Sequence, residues 1–199
     1  MRLKNQLLVP LAVLSFAFYG STVDAAPTLK TAPQRLIPAK VPGTTAMKPD
    51  QVNIAGWDKA WTNLVNDVEQ RFKPSQPKLL GVEVELVVGN PDTGEDELTL
   101  TVLDKSGGTL ASVTQTVLES DCEKTLFLMP DGGIDVIPGE SYRIRLSGGN
   151  TLGWKYVVGG YPKGGATFNG KRLLPGAKSS FLFRTFGPEW ARRDAPSKP

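Results

Sequence analysis

Leu79-Leu80-Gly81-Val82-Glu83-Val84-Glu85-Leu86-Val87-Val88, followed at once by Gly89-Asn90-Pro91-Asp92-Thr93-Gly94, decides the fold class of this chain. Leu80, Val82, Val84, Leu86 and Val88 fall on one face of an extended segment while Glu83 and Glu85 fall on the other, which is the period of a strand with one buried side. The Gly, Asn, Pro and Asp cluster behind it is turn chemistry. The same pattern recurs downstream. Leu98, Leu100 and Val102 point one way before the turn Lys105-Ser106-Gly107-Gly108 and the run Leu110 to Val117; Tyr142, Ile144 and Leu146 alternate with Arg143 and Arg145; Phe181, Phe183 and Thr185 close the series. Short, one-sided strands separated by turn signals every eight to twelve residues or so predict an all-β, antiparallel sandwich of about eight strands packed over a shared core.

Upstream of Leu79 the reading divides. Trp57, Trp61, Leu64, Val65 and Val68 recur at helical spacing behind Gly56, which fits a short amphipathic helix capping one open end of the sandwich. The same residues also fit an edge strand, with Val68 to Phe72 already paired in a sheet. In either case Trp57 and Trp61 are expected to pack inward, as a stripe of aromatics usually does.

The ends of the chain differ in composition from its middle. Met1-Arg2-Leu3-Lys4 is basic, Leu7 to Phe18 is apolar, and Val23-Asp24-Ala25 is a small-residue cleavage site ahead of Ala26, so residues 1–25 read as a signal peptide and the mature chain is expected in the periplasm or outside the cell. The apolar run is too short to span a bilayer. Pro27, Pro33, Pro38, Pro42 and Pro49 mark residues 26–50 as an extended linker or arm, residues 51–187 as the sandwich domain and residues 188–199 as a charged tail.

Composition excludes several chemistries. The chain has no histidine, so Ser-His-Asp and Cys-His catalysis and histidine-ligated metal centres are excluded. Its single cysteine, Cys122, forms no internal disulfide and reads as a small buried hydrophobe at a strand start, the alternative being intermolecular pairing in an oxidising compartment. Twenty-three Lys and Arg against twenty Asp and Glu give a formal charge of +3. These cations are scattered apart from Lys171-Arg172 and Arg192-Arg193, so the electrostatic footprint of a nucleic-acid binder is missing and no nucleic-acid partner is expected. Any catalysis would have to use carboxylates, Lys, Tyr or a Ser-Lys pair, with glycoside hydrolysis by paired carboxylates the main option, and Glu83 and Glu85 do not fit it. Residues two apart on one strand lie roughly 7 Å apart and parallel, whereas glycosidase carboxylates flank the bond. Cross-strand ion pairs with Arg143 and Arg145, should those strands be neighbours, are the expected use of the two glutamates.

A set of phrases then resembles a known group. Gln70-Arg71-Phe72 with Pro77-Lys78-Leu79-Leu80-Gly81-Val82-Glu83-Val84, Leu98-Thr99-Leu100-Thr101-Val102, Gly108-Thr109-Leu110-Ala111-Ser112, Ile137-Pro138-Gly139-Glu140-Ser141-Tyr142-Arg143-Ile144, Gly153-Trp154-Lys155-Tyr156, Tyr161-Pro162-Lys163-Gly164-Gly165 and Phe181-Leu182-Phe183-Arg184-Thr185 look like the jelly-roll modules of galactose-binding-domain-like and carbohydrate-binding type in secreted bacterial proteins. The resemblance covers about Gln70 to Phe186. It implies a jelly roll, frequently with sugar binding and a structural calcium, and brings no catalytic residues.

Two candidate sites follow. Sugars stack a ring face on an aromatic side chain while amides and cations bond the hydroxyls, so Trp154, Tyr156 and Tyr161 are candidate platforms, with Asn150, Lys155 and Asn169 as polar partners. Asn90, Asp92, Glu95 and Asp96 offer oxygens from one loop to a calcium ion. The expected function is that of an exported, non-catalytic module binding polysaccharide or glycan. The alternative is a structural or adhesive surface protein that binds another protein through a sheet edge.

Overall fold

The computed structural model describes residues 46–54, 56, 60–89 and 94–189. Residues 1–25, read from the sequence as a signal peptide, most of the stretch read as a proline-rich arm, Trp57, the residues Asn90 to Thr93 and the chain from Trp190 onward lie outside these residues.

The described chain is all-β. In chain order its strands are β1 (Met47–Asn53), β2 (Ala60–Asn63), β3 (Val68–Phe72), β4 (Lys78–Leu79), β5 (Gly81–Val84), β6 (Leu86–Val88), β7 (Glu95–Leu103) and β8 (Thr109–Leu118). They continue as β9 (Thr125–Leu128), β10 (Ile134–Asp135), β11 (Tyr142–Ser147), β12 (Leu152–Val158), β13 (Ala166–Phe168), β14 (Lys171–Arg172), β15 (Ser179–Phe181) and β16 (Phe183–Pro188). Two three-residue 3-10 turns, at Glu119–Asp121 and Pro130–Gly132, are the helical content of the described residues. None of the described helices is long and apolar enough to cross a membrane.

All pairings are antiparallel. One layer is a six-stranded sheet in the order β14-β13-β3-β11-β7-β8. The other joins β1-β16-β5-β9 to β15-β12-β2, with β6 also paired to β12, and a small β10-β4 ribbon stands beside them. The sixteen strand segments of the described residues exceed the eight or so expected from the pattern, in part because single residues interrupt longer ribbons and in part because short strands such as β2, β10, β13 and β14 join the sheets. Leu80, Glu85 and Leu182 each break a ladder, and the backbone closes the gaps. Glu85 N–H donates to Leu182 at 3.2 Å, Lys155 N–H to Glu85 at 3.0 Å and Leu182 N–H to Lys155 at 2.9 Å. Such breaks let a sheet bend around its core without orphaning buried amides.

The alternation read from the sequence is the alternation of burial. Val82, Val84, Leu98, Leu100, Val102, Ile144 and Leu146 are fully buried, and with Phe72, Phe127, Trp154, Phe181 and Phe183 they fill the space between the layers. Gln70 ties the layers across this core. Its Oε1 accepts the Phe181 N–H at 2.8 Å while its Nε2 donates to the Arg71 carbonyl at 2.7 Å, so a fully buried amide has both ends satisfied. Cys122 sits just ahead of β9, buried, and burial pushes its thiol pKa up.

Three local expectations give way. No helix follows Gly56 among the described residues: Ala60–Asn63 is β2, paired with β12, and Val68–Phe72 is β3, inside the six-stranded sheet. Apolar spacing in that segment fits both periods, and pairing to β12 decides between them. Trp61 is not packed inward. It is 40% exposed, with one ring face laid over Gly153 and Gly89, where any Cβ would strike the indole. Third, β1 begins at Met47, inside the stretch read as an arm, because its backbone pairs with β16 from Met47↔Pro188 onward.

Ion pairs follow the topology. Strand β5 lies between β16 and β9, away from β11, so Glu83 pairs with Arg184. Arg143 and Arg145 instead hold the nearly buried Glu69 of β3, at 3.2 and 2.7 Å.

Candidate functional site

A concave feature of the described residues lies where β3, β13, β14 and the loop from Tyr161 to Gly165 meet. It is an open cleft of about 490 Å³ with Arg71, Lys73, Lys163, Arg172 and Lys178 along its walls and no acidic residue among them. Each element places its cation for a local reason. Arg71 alternates outward between buried Gln70 and Phe72 at the end of β3, and Lys73 follows directly. Arg172 stands opposite Thr167 in the β13–β14 hairpin. That hairpin turns on Asn169 and Gly170, with φ of 49° and 74°, the positive pair that a two-residue hairpin turn requires. Lys178 is held by its own carbonyl, which accepts the Gly159 N–H at 2.7 Å.

The wall bearing Lys163 is fastened to β3. Arg71 N–H donates to the Gly165 carbonyl at 3.1 Å, and Gly164 presses so close to the Arg71 carbonyl that a Cβ there would overlap it. Beneath the wall, Tyr161 is 5% exposed with its ring edge-on to Phe183 at 5.2 Å. Its hydroxyl donates to Gln51 Oε1 at 2.9 Å and accepts the Lys73 N–H at 3.2 Å, and Lys163 Nζ donates to the same Gln51 oxygen at 3.2 Å. One buried hydroxyl therefore fixes the strand end and the loop that carry two of the cations. Burial pushes its pKa up, so it stays a neutral donor.

All five cations are exposed, and none forms an ion pair among the described residues. Unpaired like charges around a concavity raise the local potential and attract anions.

The residues expected to bind sugar are placed as follows. Trp154 is fully buried, stacked on Phe181 at 4.3 Å with Nε1 donating to the Leu182 carbonyl at 2.8 Å, so it is core and offers no ring face to a ligand. Tyr156 shares its face, as the two-residue spacing requires, and meets Phe181 edge-on at 6.2 Å. Tyr161 is a buried prop, although the loop it begins is a wall of the cleft. Lys155 is buried. Asn169 is the hairpin turn residue next to cleft-lining Gly170, and Asn150 is an exposed residue beyond the far end of β11.

The residues expected to bind calcium divide. Asn90 and Asp92 lie outside the described residues, and Glu95 is exposed. Asp96 is buried and accepts the N–H groups of Asn150, Thr151 and Leu152 at 3.1, 2.9 and 2.7 Å. Burial alone would raise its pKa, and these amides more than cancel that, holding the carboxyl below its usual range. An oxygen surrounded by N–H donors is arranged to anchor backbone. No group of three candidate metal ligands occurs among the described residues.

The cleft went unread in the sequence because its cations come from separated segments. The local signals were the cation pair Lys171-Arg172 and the Asn169-Gly170 ahead of it, a two-residue hairpin turn that places Arg172 opposite Thr167. No family model matches this chain, and no curated protein is significantly similar to it.

Proposed function

We propose that this protein is an exported, non-catalytic binding module that recognises an acidic saccharide through the cleft between β3, the β13–β14 hairpin and the Tyr161–Gly165 loop. The observation that carries this reading is the set of five unpaired cations around one open cavity with no carboxylate among them. A ligand of opposite charge gains from each of them. Export is supported by the basic, apolar and small-residue succession of residues 1–25. The absence of catalysis is supported by the lack of histidine and by Glu83 being engaged with Arg184.

The test is an array of neutral and acidic polysaccharides probed with the full chain. Retention by acidic members, lost at high salt and absent for neutral ones, is the expected result. Retention by neutral members alone would exclude the cleft as the site.

A further inference from the structure

We infer that the cleft is built for a saccharide bearing sulfate or phosphate esters, a choice of ligand class that rests on the acidic-saccharide reading above. Three features carry it.

The first is charge density. Five cations enclose about 490 Å³, the size of a site for one small ligand or a short stretch of a polymer. A uronic acid brings one carboxylate per ring, so a short stretch of polyuronate leaves cations unmatched. Rings esterified by sulfate or phosphate bring more charge in the same length.

The second is the direction of approach. Arg71 and Lys73 come from the end of β3, Lys163 from the loop wall, Arg172 from β14, and Lys178 from the segment ahead of β15. A carboxylate presents two oxygens in one plane and is satisfied by a single guanidinium fork. A tetrahedral oxyanion ester presents three terminal oxygens, matching donors that converge from several sides. The mixture of planar guanidinium forks and compact ammonium groups suits that shape.

The third is what the cleft lacks. No aromatic residue lines it, so it has no platform for the apolar face of a neutral sugar. Nor can it stack the bases of a single-stranded nucleic acid. What remains for it to read is the charged substituent, together with the glycosidic backbone passing over Gly164 and Gly165, where no side chain intrudes.

The full chain is titrated at fixed ionic strength with dextran, polygalacturonate, dextran sulfate, a single-stranded oligonucleotide, and phosphatidylcholine vesicles containing phosphatidic acid. Dextran sulfate is expected to bind about tenfold or more tightly than polygalacturonate, with no binding to dextran. Arg71→Ala and Lys163→Ala are expected to weaken that binding by about tenfold each, and the equally exposed Lys124→Ala, away from the cleft, to leave it unchanged. Equal affinity for polygalacturonate and dextran sulfate overturns the ester inference and leaves the acidic-saccharide reading standing. Binding of vesicles or oligonucleotide with no binding of any saccharide overturns both. A loss on Lys124→Ala as large as on Arg71→Ala shows general charge attraction and overturns the site. Thermal midpoints of the three variants, each a surface change, separate lost binding from lost folding.

Discussion

Replacing Tyr161 by Phe isolates the hydroxyl that braces the cleft. The ring stays, with its edge-on contact to Phe183 at 5.2 Å, so no cavity opens. Two hydrogen bonds go, the one donated to Gln51 Oε1 at 2.9 Å and the one accepted from Lys73 N–H at 3.2 Å. Gln51 keeps Lys163 Nζ as a donor, and Lys73 lies at the exposed strand end where water replaces the lost acceptor. At about 1 kcal/mol per bond, the loss is about 1–2 kcal/mol in urea unfolding, or roughly 3–6 °C in midpoint for a domain of this size. Tyr161→Ala, which also removes a buried ring, is expected to cost about 3–5 kcal/mol. The phenol adds a pH signature. Its folded pKa is raised by burial, so its stabilising contribution is fully present below the unfolded value near 10 and is lost as pH rises towards and through the folded one. Wild type therefore loses stability on alkaline titration above about pH 10 more steeply than Tyr161→Phe does. Affinity for dextran sulfate falls several-fold as Lys73 and Lys163 lose their common support. Equal stability of Tyr161→Phe and wild type, or equal losses for the Phe and Ala variants, would refute this account of the hydroxyl and the ring respectively.

Asp96→Ala leaves the amides of Asn150, Thr151 and Leu152 without their acceptor and is expected to cost about 3 kcal/mol in chemical denaturation. Because its folded pKa is depressed, the wild-type contribution is present above the unfolded value near 4 and is lost as pH falls through the folded one, so the gap between wild type and variant should close in acid. Gly164→Ala forces a Cβ against the Arg71 carbonyl and is expected to displace the loop, weakening dextran sulfate binding by more than it lowers the thermal midpoint. Cys122, buried with its thiol pKa raised, should react with a thiol reagent only at the rate of unfolding, and fast labelling of the native protein would contradict its placement.

Alternation made the layers legible: every inward residue named on β5, β7 and β11 is buried, because a strand with one wet face records its orientation in every second side chain. Two kinds of information were not written that way. Where apolar residues satisfy both periods, as from Trp61 to Val68, only the partner strand decides, and β12 supplies it together with the glycine that makes room for the indole. Trp154 and Tyr156 do share a face, but the core position of Trp154 was not legible, since Phe181, which stacks on it, is distant in sequence. The cleft is the same problem at larger scale. Arg71, Lys163, Arg172 and Lys178 are unremarkable singly, and become a site because β3 pairs with β13 and the Gly164 contact draws the loop onto β3.

That assembly changes how the charge of the molecule is to be understood. A formal charge of +3 spread over the whole chain gives little long-range attraction. Setting aside the five cleft cations leaves the rest of the described residues net negative, so among the described residues the positive charge gathers at the cleft and the remaining described surface opposes indiscriminate binding of polyanions. At physiological salt the Debye length is about 8 Å, short enough that an anion must come to the mouth of the cleft before it senses all five charges. Once there it displaces water between groups that lack any other counter-charge among the described residues. Such a site discriminates by the number of oxyanions a ligand can bring into one small volume. It is weakly sensitive to sugar stereochemistry, because no aromatic surface reads the ring, and strongly sensitive to ionic strength. Raising salt should therefore narrow the difference between dextran sulfate and polygalacturonate, whereas selectivity that persisted unchanged at high salt would require contacts to the sugar ring that the lining of this cleft does not provide.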